Sequence, residues 1–195
     1  FEAYISFLTI LNTDIFYNYE FAFYDSHLVS EFENFKSHYI MISSKPFDFI
    51  SIRGGLGTGN EIAYREDIPE LGERLTFNTS IEITLNDNLR IKPSINFSRL
   101  KKLDSDEYFF DGYIARLDIR YQFTNSLDFR VISEYNEFSD QFFAQPLISW
   151  RPNPDTIFYF GGNQNFVDEF VDYNSPNYRV NKSQLFMKFQ YLIKS

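Results

Sequence analysis

At 195 residues the chain has the length of one domain, and with 8 Gly and 7 Pro it is neither collagen-like nor of low complexity. Having no cysteine, it can build neither a disulfide framework nor a thiolate metal site. A net charge of -9, with no basic patch interleaved by aromatics, argues against nucleic acid as a partner. Aromatic residues make up 20% of the chain, with 24 Phe and 14 Tyr, yet total hydrophobic content is an ordinary 44%. Strands with one apolar and one polar face produce that combination; a soluble β-sandwich reaches the same average. No apolar run approaches the roughly 18 residues that a membrane-spanning helix needs. The longest, Ile5 to Leu11, contains Ser6 and Thr9. The chain opens at Phe1 in a strand-like stretch without an initiator Met or signal peptide, which reads as the C-terminal piece of something longer.

Taken in order, Phe1 to Leu11 reads as a strand with Phe1, Ala3, Ile5 and Phe7 on one face, and Asn12-Thr13 as a short turn. Ile15, Tyr17, Tyr19, Phe21 and Phe23 form the next apolar face, opposite Asn18, Glu20 and Ala22, and a polar loop runs from Asp25 to Glu33. The spacing predicts a strand over Phe35 to Ser44, with Phe35, Tyr39 and Met41 on one side and Lys36 and His38 on the other. A tight turn at Lys45-Pro46 and a shorter strand over Phe47 to Arg53 follow. Gly54 to Gly72, glycine-rich and then acidic, reads as a long loop. Leu75 to Leu85 and Leu89 to Phe97 alternate on either side of the turn Asn86-Asp87-Asn88, and Lys101 to Phe110 reads as a charged loop.

The clearest hairpin spans Tyr113 to Asn136 around the turn Thr124-Asn125-Ser126. In its first run Tyr113, Ala115, Leu117, Ile119, Tyr121 and Phe123 alternate with polar positions that include Arg116, Asp118 and Arg120. In its second run Leu127, Phe129, Val131 and Tyr135 alternate with Asp128, Arg130 and Glu134. Each run is about ten residues or more, nearer a tilted membrane-spanning strand than the usual soluble strand of about five or six. Beyond it, Glu137 to Gln141 turns the chain, Phe142, Ala144, Pro146, Ile148 and Trp150 face one way, and Pro152-Asn153-Pro154 turns it again. Thr156 to Phe166 reads as a strand aromatic on both faces, Val167 to Asn181 as an acidic and aromatic loop, and Leu185 to Ile193 as the closing strand. Pro93 and Pro146 fall inside strands, where proline removes a ladder hydrogen bond, so a bulge or a break is expected at each.

That gives about eleven strands joined alternately by short connections, near 12, 45, 87, 125 and 153, and long ones, near 29, 63, 105, 139 and 173. Membrane barrels show this asymmetry of short periplasmic turns and longer outer loops. The expected fold is therefore all-β, an antiparallel transmembrane β-barrel, with residues 1–195 the C-terminal portion of a larger, even-stranded barrel. The apolar faces would meet lipid, and Tyr113, Tyr121, Tyr135, Trp150 and Tyr191 fit interfacial girdles. An Arg or Lys exposed to lipid at mid-depth would cost roughly 2–4 kcal/mol. The charged rows Glu82, Arg90, Lys92, Arg116, Asp118, Arg120, Asp128, Arg130, Glu134 and Lys188 are accordingly expected to face the lumen. Their mixed signs fit a structural ladder of ion pairs; a selective channel lining is the sharper alternative.

Other chemistry is weaker. Arg53-Gly54-Gly55-Leu56-Gly57-Thr58-Gly59 lacks the Gly-Lys-Ser/Thr ending of a phosphate loop and no helical pattern follows it, so it reads as a flexible surface loop. His27 and His38, the only two histidines, have no motif of a hydrolase triad around them. Asp104, Asp106 and Glu107, and likewise Asp168, Glu169 and Asp172, lack EF-hand spacing and read as solvated acidic loops. Phe166, Phe170, Tyr173 and Tyr178 in the last long loop could stack on sugar rings or extend the barrel above the membrane. Neither a cofactor nor a metal is expected.

Arg53-Gly54-Gly55, the run Leu117 to Thr124, Ile148-Ser149-Trp150-Arg151-Pro152 and the closing Leu185 to Leu192 together resemble a Bacteroidota family. In that family an outer-membrane barrel domain of unknown function follows a carbohydrate-binding family-nine-like module. The resemblance covers Phe35 to the C-terminus and implies an outer-membrane location with glycan-related or transport work. The carbohydrate-binding module has no counterpart here, and Lys194-Ser195 stands where outer-membrane proteins usually end on an aromatic.

The sequence thus reads as a non-enzymatic outer-membrane β-barrel acting as channel, transport component or membrane anchor. The alternatives are a barrel subunit of a larger outer-membrane transport or secretion complex, and a soluble all-β glycan-binding domain. The expected partners are outer-membrane lipid and lipopolysaccharide, with other complex subunits or glycan beyond them.

Overall fold

Alternation of apolar and polar side chains becomes strand along nearly the whole chain. The computed structural model describes residues 2–9, 12–26, 31–64, 69–168 and 178–193. Eleven strands appear among them: β1 (Glu2–Thr9), β2 (Thr13–Ser26), β3 (Glu31–Phe47), β4 (Ile50–Ala63), β5 (Glu70–Asn86), β6 (Leu89–Lys102), β7 (Tyr108–Thr124), β8 (Leu127–Asn136), β9 (Gln141–Asn153), β10 (Thr156–Asp168) and β11 (Tyr178–Tyr191). A short 3-10 helix, Glu137–Ser139, is the one helical element described. The strands form one antiparallel sheet in sequence order from β1 to β11. Among the described residues this sheet does not close on itself, so the expected barrel is present as its sheet only.

In such a meander alternate connections lie at opposite ends of the strands. At one end the turns are two residues long between β3 and β4, β5 and β6, β7 and β8, and β9 and β10. Polar side chains close the last three. Asn86 Oδ1 accepts the backbone N–H groups of Asn88 and Leu89, both at 2.9 Å; Thr124 Oγ1 accepts those of Ser126 and Leu127; Asn153 Oδ1 accepts that of Asp155. The last three of these turns are also tied through their backbone to the strand end that follows. Gln122 N–H donates to Asn88 O at 2.8 Å, Arg151 N–H to Ser126 O at 2.7 Å and Leu192 N–H to Asp155 O at 2.8 Å. At the other end lie the longer connections, of which Leu103 to Glu107 and the 3-10 segment with left-handed Asp140 are described.

By packing, the chain divides into two compact parts. In the first, residues 1–81 with 94–113, β2, β3 and β4 set two faces through their register. Tyr17 is the Cα partner of Ile40, and Ile40 of Leu56, on one face. Asn18 partners Tyr39, and Tyr39 partners Gly57, on the other.

This corrects two expectations. Gly54 to Gly72 is not a long loop: β4 runs through Gly59 to Ala63, and Gly72 belongs to β5. Nor do Tyr39 and Met41 belong to the apolar side of β3. They are the Cα partners of Gly57 and Gly55, while His38 shares its face with Tyr17, Tyr19 and Ile40. The cause is steric. Glycine at every second position leaves a trough on β4, and the Tyr39 ring fills it.

The second part, residues 82–93 with 114–195, is built on β7 to β11 and has a bulge between Asn165 and Phe166. Pro146 makes no bulge. It is the Cα partner of Val131 in an unbroken register with β8. On its other side the described ladder to β10 goes from Leu147–Gly161 to Ala144–Gln164 in the same phase. Pro93 lies inside β6.

A Cβ on Gly55 would run into Tyr39 Oη and stand 2.9 Å from Asn78 Nδ2, whereas one on Gly54 would find its nearest atom at 3.6 Å. Gly55→Ala should therefore lower stability by about 1–3 kcal/mol, with Gly54→Ala nearly neutral and Gly55→Ala/Tyr39→Ala partly restored. Guanidinium midpoints of the refolded variants measure this.

Candidate functional site

The chemistry of this chain lies on the two faces of its sheet. In the second part, rows of partnered residues cross the strands. Tyr121, Phe129, Ile148, Phe160 and Met187 are successive Cα partners from β7 to β11, and Ile119, Val131 and Pro146 form the row beside them. Aromatic rings bound these rows at both ends. Trp150 stacks on Phe158 with centroids 5.3 Å apart, and Phe158 meets Phe189 at 5.0 Å. At the far end Phe142 meets Phe166 at 5.8 Å. Trp150 and Phe142 are eight positions apart on β9, about 27 Å at roughly 3.4 Å per residue.

Among the described residues nothing covers this face. Ile148 is 43% exposed, Phe160 54% and Met187 80%. The only buried apolar residues among those described are Ile62, Ala63, Leu100 and Ile132.

The opposite face holds the charged rows. Arg116 Nη1 lies 3.0 Å from Glu134 Oε2, its partner across the β7–β8 ladder. Arg120 stands directly opposite Arg130, an arrangement of like charges that alone would be unfavourable. Asp118, on the same face two residues before Arg120, resolves it: Arg130 Nη2 reaches Asp118 Oδ2 at 2.5 Å and Nε reaches both oxygens at 3.2 Å. Two parallel N–H donors on one carboxylate make this the strongest pair of the group. Arg90 lies 3.5 Å from Glu82. Lys92, Arg120 and Asp128 make no ion pair within 4 Å among the described residues; Asp128 is the partner of Gln122 and of Ser149. Of the nine charges Glu82, Arg90, Lys92, Arg116, Asp118, Arg120, Asp128, Arg130 and Glu134, five are positive and four negative, so together they are nearly neutral.

The first part has a polar cluster that the reading of Gly54 to Gly72 as a loop had hidden. Arg74 donates to Ser37 Oγ at 3.1 Å and lies 3.6 Å from Glu61, and Asn78 donates to Tyr39 Oη at 3.4 Å. Thr76 Oγ1 donates to the carbonyl of Gly57 at 3.5 Å. The signal was present in the sequence: Gly55, Gly57 and Gly59 already follow a period of two.

At the longer-connection end, charges begin where the apolar run of β6 stops at Phe97. Arg99 pairs with Asp111 at 2.9 Å and lies over the rings of Phe97 and Tyr108. Lys101 pairs with Asp106 at 2.6 Å and Lys102 with Glu107 at 3.1 Å. The carboxylates Asp106 and Glu107 are thus held by lysines, and no group of three metal-ligating side chains occurs among the described residues.

Of the expected ligand platform, Phe166 lies inside β10 beside Phe142 rather than in a loop. Phe170 and Tyr173 are outside the described residues, as are Glu169, Asp172 and His27, and so are the side chains of Tyr178 and Asp168. His38 Nδ1 lies 2.8 Å from Tyr17 Oη and its ring 4.8 Å from that of Tyr19, with no nucleophile or carboxylate completing a triad in those contacts. A depression of about 340 Å³ opens at Val167, Arg179, Val180 and Asn181. No helix is long and apolar enough to cross a membrane among the described residues.

No family model matches the chain, and neither the curated proteins nor the solved structures contain a match.

Two predictions follow from the pairs. Asp118→Asn leaves Arg130 facing Arg120 and should cost about 1–3 kcal/mol, largely relieved by Arg130→Gln, whereas Glu134→Gln, in a more exposed pair, should cost under about 1 kcal/mol. Denaturant titration of the single and double variants tests the difference. Separately, the hydrogen bond and charge of Lys101 hold the Asp106 carboxyl below its usual range. Its contribution is present above the ordinary carboxylate pKa and is lost as pH falls through the depressed value. Lys101→Gln should move the Asp106 titration, followed by carboxyl NMR, back toward the ordinary range.

Proposed function

We propose that this chain is part of a non-enzymatic outer-membrane β-barrel whose apolar face meets lipid and whose charged face lines the interior. The observation that carries the reading is an uncovered face free of charge over the length of a membrane span. From β7 to β11 the positions Ala115 to Phe123, Leu127 to Tyr135, Phe142 to Trp150, Phe158 to Phe166 and Ser183 to Tyr191, taken every second residue, include no Asp, Glu, Lys or Arg. Spans of about 9–11 residues are what a tilted strand needs to cross hydrocarbon. In water so large an uncovered apolar face would drive association; in a bilayer it is the matched surface. Aromatic rows at Trp150–Phe158–Phe189 and at Phe142–Phe166 fit the two interfaces.

Inside, the near-balance of signs and the direct ion pairs favour a scaffold over an ion-selective pore. The chain acts as an anchor or as a structural wall of a transport assembly, and charge selection at the face of β7 and β8 is weak. The resemblance to the Bacteroidota barrel domain points the same way.

The protein should require detergent for extraction and should migrate differently on gels before and after heating. Val131→Arg, at the middle of the apolar rows, should cost about 2–4 kcal/mol for folding into vesicles, while Gln145→Arg on the opposite face should be tolerated. A monomer soluble without surfactant, or equal tolerance of the two variants, overturns the lipid-facing reading. Absence of any current in planar bilayers from the inserted protein selects the anchor over the channel.

A further inference from the structure

We infer that the free edge of β11 is a docking site for one more antiparallel strand, in which apolar residues alternate with polar ones and two carboxylates stand six residues apart on the polar side. Three observations carry this. First, the edge is long and regular. From Ser183 to Tyr191 the register with β10 is unbroken, and the described bulge lies above it, between Asn165 and Phe166. Proteins protect edges by keeping them short, by bulging or covering them, or by placing lysines on them; these nine residues are in unbroken register, carry Lys188 as their one charge and have no neighbouring strand on one side among the described residues.

Second, the apolar side chains of β11 are more exposed than their row partners inside the sheet. Leu185 is 76% and Met187 80% exposed, against 54% for Phe160, the row partner of Met187. They lack a flank as well as a cover.

Third, the polar side of β11 has uncompensated charge. Lys182 stands opposite Asn165 and Lys188 opposite Tyr159, and no ion pair involves either lysine among the described residues. Two cations on this face are matched from the adjacent strand, Arg116 by Glu134 and Arg130 by Asp118, while Lys92 and Arg120 are not. The same matching at the edge calls for carboxylates on the strand that pairs there.

A second copy does not supply them through its own β11, because Tyr178 to Tyr191 contains Arg179, Lys182 and Lys188 and no acid. An edge-to-edge dimer of β11 would set cations against cations. The occupant is therefore a strand of different sequence, recognised by main-chain hydrogen bonding along the edge and by charge at two positions. The inference rests on the sheet and its edge and does not require the lipid-facing reading; a protein that proved water-soluble could still dock such a strand.

The test uses the intact chain, in detergent micelles if it needs them, and three synthetic eleven-residue peptides alternating Val or Leu with Thr. They carry at two polar positions six apart either Glu, Gln or Lys. Because the chain has no cysteine, Gln184→Cys, on the face of the two lysines, gives a unique handle for disulfide trapping of a peptide cysteine. Fluorescence anisotropy with wild-type protein should show the Glu peptide binding at least about tenfold tighter than the Gln peptide, a difference of about 1.4 kcal/mol. The Lys peptide should bind more weakly still, and Lys182→Glu/Lys188→Glu should invert the order. Gln184→Cys should trap the Glu peptide in preference. Equal binding of the three peptides, no binding to protein shown by circular dichroism to be folded, or dimerisation of Gln184→Cys in preference to peptide capture would overturn the inference.

Discussion

Side chains of a β-strand alternate between two sides, and everything else in this protein depends on the two sides meeting different media. A sheet that buries one face against a second layer hides its apolar rows. Here the apolar rows of β7 to β11 have nothing on them among the described residues, where the four buried apolar residues do not make a core. What holds such a sheet together is the main-chain ladder, continuous from strand to strand, with side-chain pairs added on each face. The outer medium then decides whether the arrangement is stable. A hydrocarbon solvent rewards the uncovered rows and makes the unbroken ladder obligatory, since backbone groups have no water to bond to.

The second face is organised by local electrostatics. Arg116, Asp118 and Arg120 follow one another at every second position of β7, and β8 answers with Glu134 and Arg130. The pairing is partly diagonal because direct opposition would set Arg120 against Arg130. Asp118 takes Arg130 and turns a repulsive contact into a bidentate one. Glycine plays the corresponding role in the first part. The trough over Gly55 and Gly57 admits the Tyr39 ring, whose hydroxyl accepts from Asn78 on β5, so three strands are tied together by one side chain.

The regions read well from sequence were those where the period of two is clear: β5 to β10 lie close to where the pattern put them, whereas β11 begins at Tyr178, inside the expected loop Val167 to Asn181. The short turns at Asp87-Asn88 and Asn125-Ser126 were equally legible, because Asn86 and Thr124 carry the oxygen that closes them. Two kinds of signal misled. Charge was taken for loop at Lys101 to Phe110, yet the connection is only Leu103 to Glu107, since Lys101 and Lys102 remain in β6 and reach their acids across the turn. Glycine was taken for flexibility at Gly54 to Gly59, where it is strand. Glycine contributes no hydropathy to a pattern, so a strand whose polar side is glycine looks patternless until its neighbours are known.

By itself the sequence determined the class of the fold, the strand order implied by short and long connections, and which residues of β5 to β9 share a face. These follow from local rules, the period of two and the chemistry of tight turns, which act within a strand or a hairpin. Only the tertiary structure decided that β4 is a strand, that Tyr39 belongs to the polar side, that Arg130 pairs diagonally with Asp118, and that β11 is left with a free edge. Each of those depends on which atoms a neighbouring strand brings within a few ångströms, and register between strands is a relation that no single stretch of sequence contains.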